Sequence, residues 1–173
     1  LVIRRQRQMC IRDSYKDSSS SKKEQVTNMF DGIAKNYDAL NRVISMGVDK
    51  SWRQKLVAMV AQKKPKNVVD VATGTGDLAL ALTSIPDATI TGIDIAVEML
   101  EIGKQKVNQN KLDHRIKMVV GDAESLSLSD SSIDAVTVAF GVRNFGDLNK
   151  GLSEIYRILK PGGQLFVLSL IHI

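Results

Sequence analysis

Residues 70 to 77 read Asp70-Val71-Ala72-Thr73-Gly74-Thr75-Gly76-Asp77, an apolar run with a carboxylate inside it that breaks into a glycine turn. Gly74 and Gly76 let the backbone approach a ligand closely, with Thr75 between them. Such a turn, at the carboxyl end of a strand and the start of a helix, is where ligands bind in open parallel sheets. The spacing Gly74-x-Gly76-x-x-Ala79 also fits a dinucleotide fingerprint, with Asp94 at the distance where an acid takes ribose hydroxyls. Asp70 favours a different ligand: a carboxylate this close suits an ammonium or sulfonium group and repels a pyrophosphate. Asp94 can accept from a ribose diol in either case. Gly121-Asp122-Ala123 supplies a third carboxylate, able to accept from an adenine amino group, and a backbone N–H able to donate to a ring nitrogen. Asp70, Asp122 and the turn Pro161-Gly162-Gly163 together favour an amino-acid-bearing cofactor over a nicotinamide. Any one of these acids alone reads equally well as a helix cap or a solvated charge. Three of them, expected at three successive strand ends, read as a site.

The elements that must position these groups follow from periodicity. Val26, Met29, Phe30, Ile33, Tyr37 and Leu40 recur at helical spacing, predicting a helix from Val26 to Met46 whose broad apolar stripe could face lipid, substrate or, as the simplest expectation, the sheet. Asp49 is the expected N-cap of a second helix that carries Trp52, Leu56, Val57 and Val60 and stops before Pro65. Strands are expected at Val68 to Ala72, Thr89 to Asp94, Ile116 to Val120, Ile133 to Phe140 and Gln164 to Leu168. Helices are expected between them near Asp77 to Ser84, Ala96 to Asn110 and Asp147 to Leu159. Strand-helix-strand repetition specifies right-handed crossovers, so the predicted fold is an α/β, doubly wound, mostly parallel sheet with N-terminal helices.

Length and charge bound the remaining choices. The 173 residues hold one domain. The expected division is a disordered tail over residues 1–25, a helical cap over 26–64 and an α/β core over 65–168. The formal charge of +5 invites an anionic partner, but residues 1–25 hold seven basic and three acidic groups, leaving 17 and 16 in the rest. With eight aromatics in all, that near-neutral body is a poor nucleic-acid surface. No apolar run is long enough to span a bilayer, and the single Cys10 fits a reducing compartment, so the expected location is cytoplasmic. His114 and His172 lack partners at ligand spacing, and no metal site is expected.

Several separated segments together resemble the ubiquinone/menaquinone biosynthesis C-methyltransferases, a branch of the class I S-adenosylmethionine-dependent methyltransferases. They are Phe30-Asp31-x-Ile33-Ala34-x-x-Tyr37-Asp38-x-Leu40-Asn41, Ser45 with Trp52, and the glycine loop from Asp70 to Asp77. Phe140-Gly141-Val142-Arg143-Asn144 and Arg157-x-Leu159-Lys160-Pro161-Gly162-Gly163 complete the set. The resemblance implies S-adenosylmethionine as cofactor, with Gly74, Thr75 and Gly76 lining it, Asp94 holding the ribose, and Asp122 with Ala123 holding the adenine. It implies a prenylated quinol as substrate and transient contact with the inner membrane face. Carbon methylation of a quinol needs a phenolate, and Arg143 and Asn144 are the expected catalytic pair: Arg143 stabilises the phenolate or orients a water, and Asn144 positions the ring. Outside that context Arg143 reads as a surface salt bridge and Asn144 as a turn residue. The alternatives are an NAD(P)-dependent oxidoreductase and a cofactor-binding fragment without turnover.

The chain departs from the family pattern at Asp49, where histidine is usual, through about Ser14, and over residues 169–173. Both ends are therefore expected to be non-native, and the sheet to be truncated after its fifth strand.

Overall fold

The computed structural model describes residues 21–169. The expectations for residues 1–20 and 170–173, including Cys10 and His172, lie outside the described residues.

Helix α1 spans Lys22–Ile44, four residues earlier than the apolar pattern begins. Ser21 and Glu24 cause the early start: the Ser21 hydroxyl accepts from the Glu24 backbone N–H at 3.3 Å, and the Glu24 carboxylate accepts from the Ser21 N–H at 2.8 Å. This reciprocal capping box satisfies donors that a helix start otherwise leaves unpaired. Residues 21–25 are therefore ordered, correcting the boundary of the expected tail. Helix α2 spans Val48–Ala61 and is capped by Gly47, not by Asp49, which lies inside the first turn.

Five strands follow: β1 (Asn67–Val71), β2 (Thr89–Asp94), β3 (Ile116–Val120), β4 (Ile133–Ala139) and β5 (Leu159–Leu168). Between them run α3 (Asp77–Leu82), α4 (Val97–Gln109) and α5 (Leu148–Ile158). All pairings are parallel and the spatial order is β3-β2-β1-β4-β5. The order reverses beside β1, which puts a crevice at the carboxyl ends of β1 and β4.

Alternation along β1 divides the core. Val68 joins a cluster with Leu56 and Val60 of α2, Leu78 and Leu82 of α3, and Leu100 and Val107 of α4. Val69 and Val71 join Ile155 and Ile158 of α5, with Leu126 from the β3–β4 loop. Both faces of the sheet are thus covered, which is why its central strands read as continuous apolar runs. Helix α1 packs outside this core, burying Ala34 against Ala96 and Met99.

The Pro161-Gly162-Gly163 segment sits at the amino end of β5, where Ile133 pairs with Leu159 and Ala135 with Gln164, so residues 160–163 bulge out of the ladder. The ligand crevice is at the opposite end of the strands. This corrects the expectation that the turn helps to choose the cofactor; it shapes the sheet edge instead. Among the described residues no helix is long and apolar enough to cross a membrane.

Candidate functional site

A cleft of about 250 Å³ opens at the carboxyl ends of β1, β2, β3 and β4, with α1 laid across it. From β1 come Ala72 and Gly74, from β2 Asp94 and Ile95, and from β3 Gly121, Asp122, Ala123 and Glu124. From β4 come Phe140, Gly141, Arg143 and Asn144, while α1 contributes Lys23, Met29, Phe30, Tyr37 and Asn41. Gly74, Asp94, Asp122, Ala123, Arg143 and Asn144, all singled out from sequence, therefore share one wall. Asp70, Thr75 and Gly76 are not part of it.

The backbone of this wall is strained where two strands end side by side. Ala72 after β1 and Phe140 after β4 both have left-handed backbone angles, φ 56° and 60°. Such angles in non-glycine residues cost roughly 1–3 kcal/mol each and persist only where neighbours over-determine them. Gly141 is part of that constraint, because a Cβ there would lie 2.4 Å from the Ala72 Cβ. Trp52 of α2 packs on the Phe140 ring with centroids 6.4 Å apart, tying the second helix to the turn that carries Arg143.

Asp94 is fixed as an acceptor. Its Oδ2 takes the Gly74 N–H at 2.7 Å and its Oδ1 the Ala96 N–H at 2.9 Å, so the carboxylate is locked to the glycine loop. Each oxygen keeps a lone pair for a ligand hydroxyl. Burial pushes this carboxyl above the usual range, although the backbone N–H bonds oppose the shift. Asp122 behaves differently: burial works against its charge, but Lys23 and the Glu124 backbone N–H together hold the carboxyl below the ordinary value. The Lys23 ammonium bonds Asp122 and reaches Glu124 at 3.3 Å. The neighbouring Lys22 donates to the Phe145 carbonyl at 2.8 Å, so the first turn of α1 straps the cleft between the β3 and β4 loops.

Asp70 is a correction. Its side chain is 1% exposed and accepts from the hydroxyls of Thr137 and Thr73, both at 2.6 Å. It joins β1, β4 and the glycine loop from inside the protein and offers no oxygen to the cleft. Burial raises its carboxyl to about 6, against the two hydroxyl bonds.

Thr75 also turns away from the cleft. Its hydroxyl donates to Asp38 at 2.6 Å and accepts from Lys106 at 3.0 Å. Lys106 also pairs with Asp38 at 2.6 Å and Asp77 at 2.7 Å. Asp77 receives Arg53 at 3.4 Å, and Arg53 pairs with Asp49. Asp49 takes the Ser45 hydroxyl at 2.7 Å, and Ser45 and Arg53 hold its carboxyl below the usual value although burial pushes it up. This network ties α1, α2 and α4 to the glycine loop. At the other end of the α1–α4 contact, Asp31 accepts the Glu98 N–H at 3.0 Å and so caps α4, whose own N-cap Ala96 has no side-chain acceptor.

Sequence reasoning quoted the Tyr37-Asp38 pair without giving Asp38 a role, and it missed Lys106, Arg53, Glu124 and Lys23. For Lys23 a signal existed, the Ser21-x-x-Glu24 capping box that orders its helix. Phe30 and Tyr37 are both packed and cleft-lining, in edge-to-face contact with centroids 5.8 Å apart.

Residues 18–173 match the ubiE/COQ5 methyltransferase family. The chain belongs to that family. Among curated members, the demethylmenaquinone methyltransferase of Bacteroides fragilis is 47% identical over 154 residues, covering 88% of this chain and 63% of the relative. The ubiquinone/menaquinone biosynthesis C-methyltransferase UbiE of Geotalea daltonii is 46% identical over 151 residues, covering 86% and 64%. This ubiE/COQ5 chain thus spans a little under two thirds of the length of these relatives. Among solved structures, a putative methyltransferase from Bacillus halodurans superposes with a TM-score of 0.60 at 29% identity, covering 66% of this chain and 49% of that one. A Haloferax volcanii putative methyltransferase, solved with the Trm112 activator, gives 0.63 at 26% identity, covering 80% and 58%.

Proposed function

We propose that this protein takes part in S-adenosylmethionine-dependent C-methylation of a prenylated quinol, of the demethylmenaquinol-to-menaquinol kind or its benzoquinol counterpart. The observation that carries the reading is the convergence of Asp94, Asp122 and the Arg143-Asn144 turn on one cleft beside the glycine loop. The names of the relatives support the same reaction. They lend nothing to a nicotinamide-dependent reaction.

The donor set fits the cofactor. Asp94 is held rigid by two backbone N–H groups and suits the ribose diol. Asp122 suits the adenine amino group once Lys23 withdraws, and the Ala123 backbone suits a ring nitrogen. When bound, S-adenosylmethionine supplies an electrophilic methyl group on a cationic sulfonium. The protein's task is then to align a ring carbon and to make it nucleophilic. Passing the quinol hydroxyl proton to a water that Arg143 orients sends electron density onto the neighbouring carbon; Arg143 at the cleft wall stabilises that phenolate without itself giving up a proton, and the ring proton that the methyl group replaces leaves to water. The Asn144 N–H donates to the Gly141 carbonyl at 2.9 Å, which closes the short turn that carries both residues. Phe30, Tyr37 and Met29 supply the apolar wall for the ring. A prenyl tail implies passing contact with a membrane surface.

Radiolabelled methyl transfer to a demethylated quinol tests the reading. Turnover is expected, and Arg143→Ala should lower it at least about 100-fold while S-adenosylhomocysteine affinity persists. Cofactor binding without any turnover would leave a binding fragment, and stabilisation by NAD in place of S-adenosylhomocysteine would overturn the assignment.

A further inference from the structure

Met46 is 88% exposed and Val43 75% exposed, and both lie at the turn that joins α1 to α2. Leu40, one helical turn before Val43, is 45% exposed, and Val48 just past the turn is 41% exposed. Only Tyr156, which carries a polar hydroxyl and sits on α5, is comparably open among the large apolar side chains described. Along most of its length the α1 stripe faces the cleft and α4, through Val26, Phe30 and Tyr37, and not the sheet that its periodicity suggests. At its carboxyl end it turns outward, and apolar side chains crowd an exposed corner.

The charge around this corner has one sign. Between residues 39 and 64 the exposed charged side chains are Arg42, Lys50, Lys55, Lys63 and Lys64. The single acid in that span, Asp49, is buried and paired with Arg53. An apolar tip flanked along the chain by the exposed Arg42, Lys50 and Lys55 suits a surface that is negative outside and hydrocarbon beneath. A second copy of the chain does not fit, because a two-fold contact sets the same patch against itself and brings like charges together.

We infer that the α1–α2 turn docks on an anionic phospholipid bilayer, with Val43 and Met46 entering the headgroup region and Arg42, Lys50 and Lys55 held at the lipid phosphates. The opposite side of the same stretch of α1 walls the cleft, since Asn41 lies between Leu40 and Arg42 and lines it. Docking therefore brings the cleft wall to the bilayer where a prenylated quinol resides, a consequence that rests on the proposed reaction.

The test is co-sedimentation of the chain with vesicles of equal parts phosphatidylcholine and phosphatidylglycerol, against phosphatidylcholine alone, with no quinol present. Binding should be at least tenfold tighter to the mixed vesicles and should weaken with salt. The double variant V43N/M46N should lose tenfold or more, and R42Q/K50Q should lose roughly fivefold per removed cation. Both variants should keep the wild-type thermal transition and S-adenosylhomocysteine affinity. Equal binding to both vesicle types, or unchanged binding by folded V43N/M46N, overturns the inference. So does self-association in sedimentation velocity that V43N/M46N abolishes, because the corner is then a contact between copies. Methylation of a water-soluble, short-tailed quinol is measured in parallel: its failure counts against the proposed reaction, and vesicle binding is read independently of it.

Discussion

Replacing Asp70 with asparagine separates the two roles this carboxylate can have. It is buried between β1, β4 and the glycine loop, and burial raises its carboxyl from 3.8 to about 6 against the hydroxyl bonds from Thr137 and Thr73. The native state therefore holds the proton more tightly than the unfolded chain does. Below pH 3.8 both states are protonated and the group costs nothing; as pH rises toward 6 the native state must either keep the proton or bury a charge, and stability falls. About two pKa units at ~1.4 kcal/mol each make a full penalty of about 3 kcal/mol above the folded pKa, of which about 2 kcal/mol develops between pH ~4.5 and ~7.5. Asp70→Asn carries no such penalty. Its amide must donate to one threonine hydroxyl in place of accepting, a rearrangement costing about 1 kcal/mol that does not vary with pH. Urea denaturation across that pH range, followed by fluorescence of Trp52, the single tryptophan, reads the difference directly. The variant should gain about 2 kcal/mol relative to wild type as pH rises through the window. Parallel stability curves would refute the buried-charge argument. S-adenosylhomocysteine affinity should stay within about threefold, and a folded variant that loses tenfold or more would restore Asp70 as a ligand group.

Lys23→Gln frees Asp122 and Glu124, so S-adenosylhomocysteine should bind about fivefold more tightly and with less dependence on salt by calorimetry; weaker binding would instead make Lys23 part of the cofactor site. Lys106→Met removes the cation shared by Asp38, Asp77 and Thr75, and should cost about 1–3 kcal/mol in denaturation. Because the same cation braces the glycine loop from behind, that variant should also raise the cofactor dissociation constant while leaving the turnover number of saturated enzyme within about twofold.

The strands and crossover helices were legible because their causes are local. Period-2 and period-3.6 patterns lie within ten or so residues, and β2 and β3 fall where those patterns end. The early start of α1 was equally local, written in Ser21 and Glu24, but an apolar count cannot register a polar cap. Gly74, Asp94, Asp122, Ala123, Arg143 and Asn144 could be grouped because a parallel sheet sends every strand's carboxyl end to the same side. That same rule places Pro161-Gly162-Gly163 at the far end.

What the sequence determined alone is the α/β order, the family and the edge of the sheet where the site must lie. Tertiary structure decided which way each side chain at that edge turns. Asp70 and Asp94 both lie in central strands and both are carboxylates, yet Asp70 is closed in by two threonines from neighbouring segments, while Asp94 is held open by two backbone N–H groups. Lys106 reaches Asp38 across 68 positions, and Lys23 reaches Asp122 across 99. No local pattern encodes such pairs, because their partners are chosen by how α1 packs on α4 and across the cleft, after the sheet has formed.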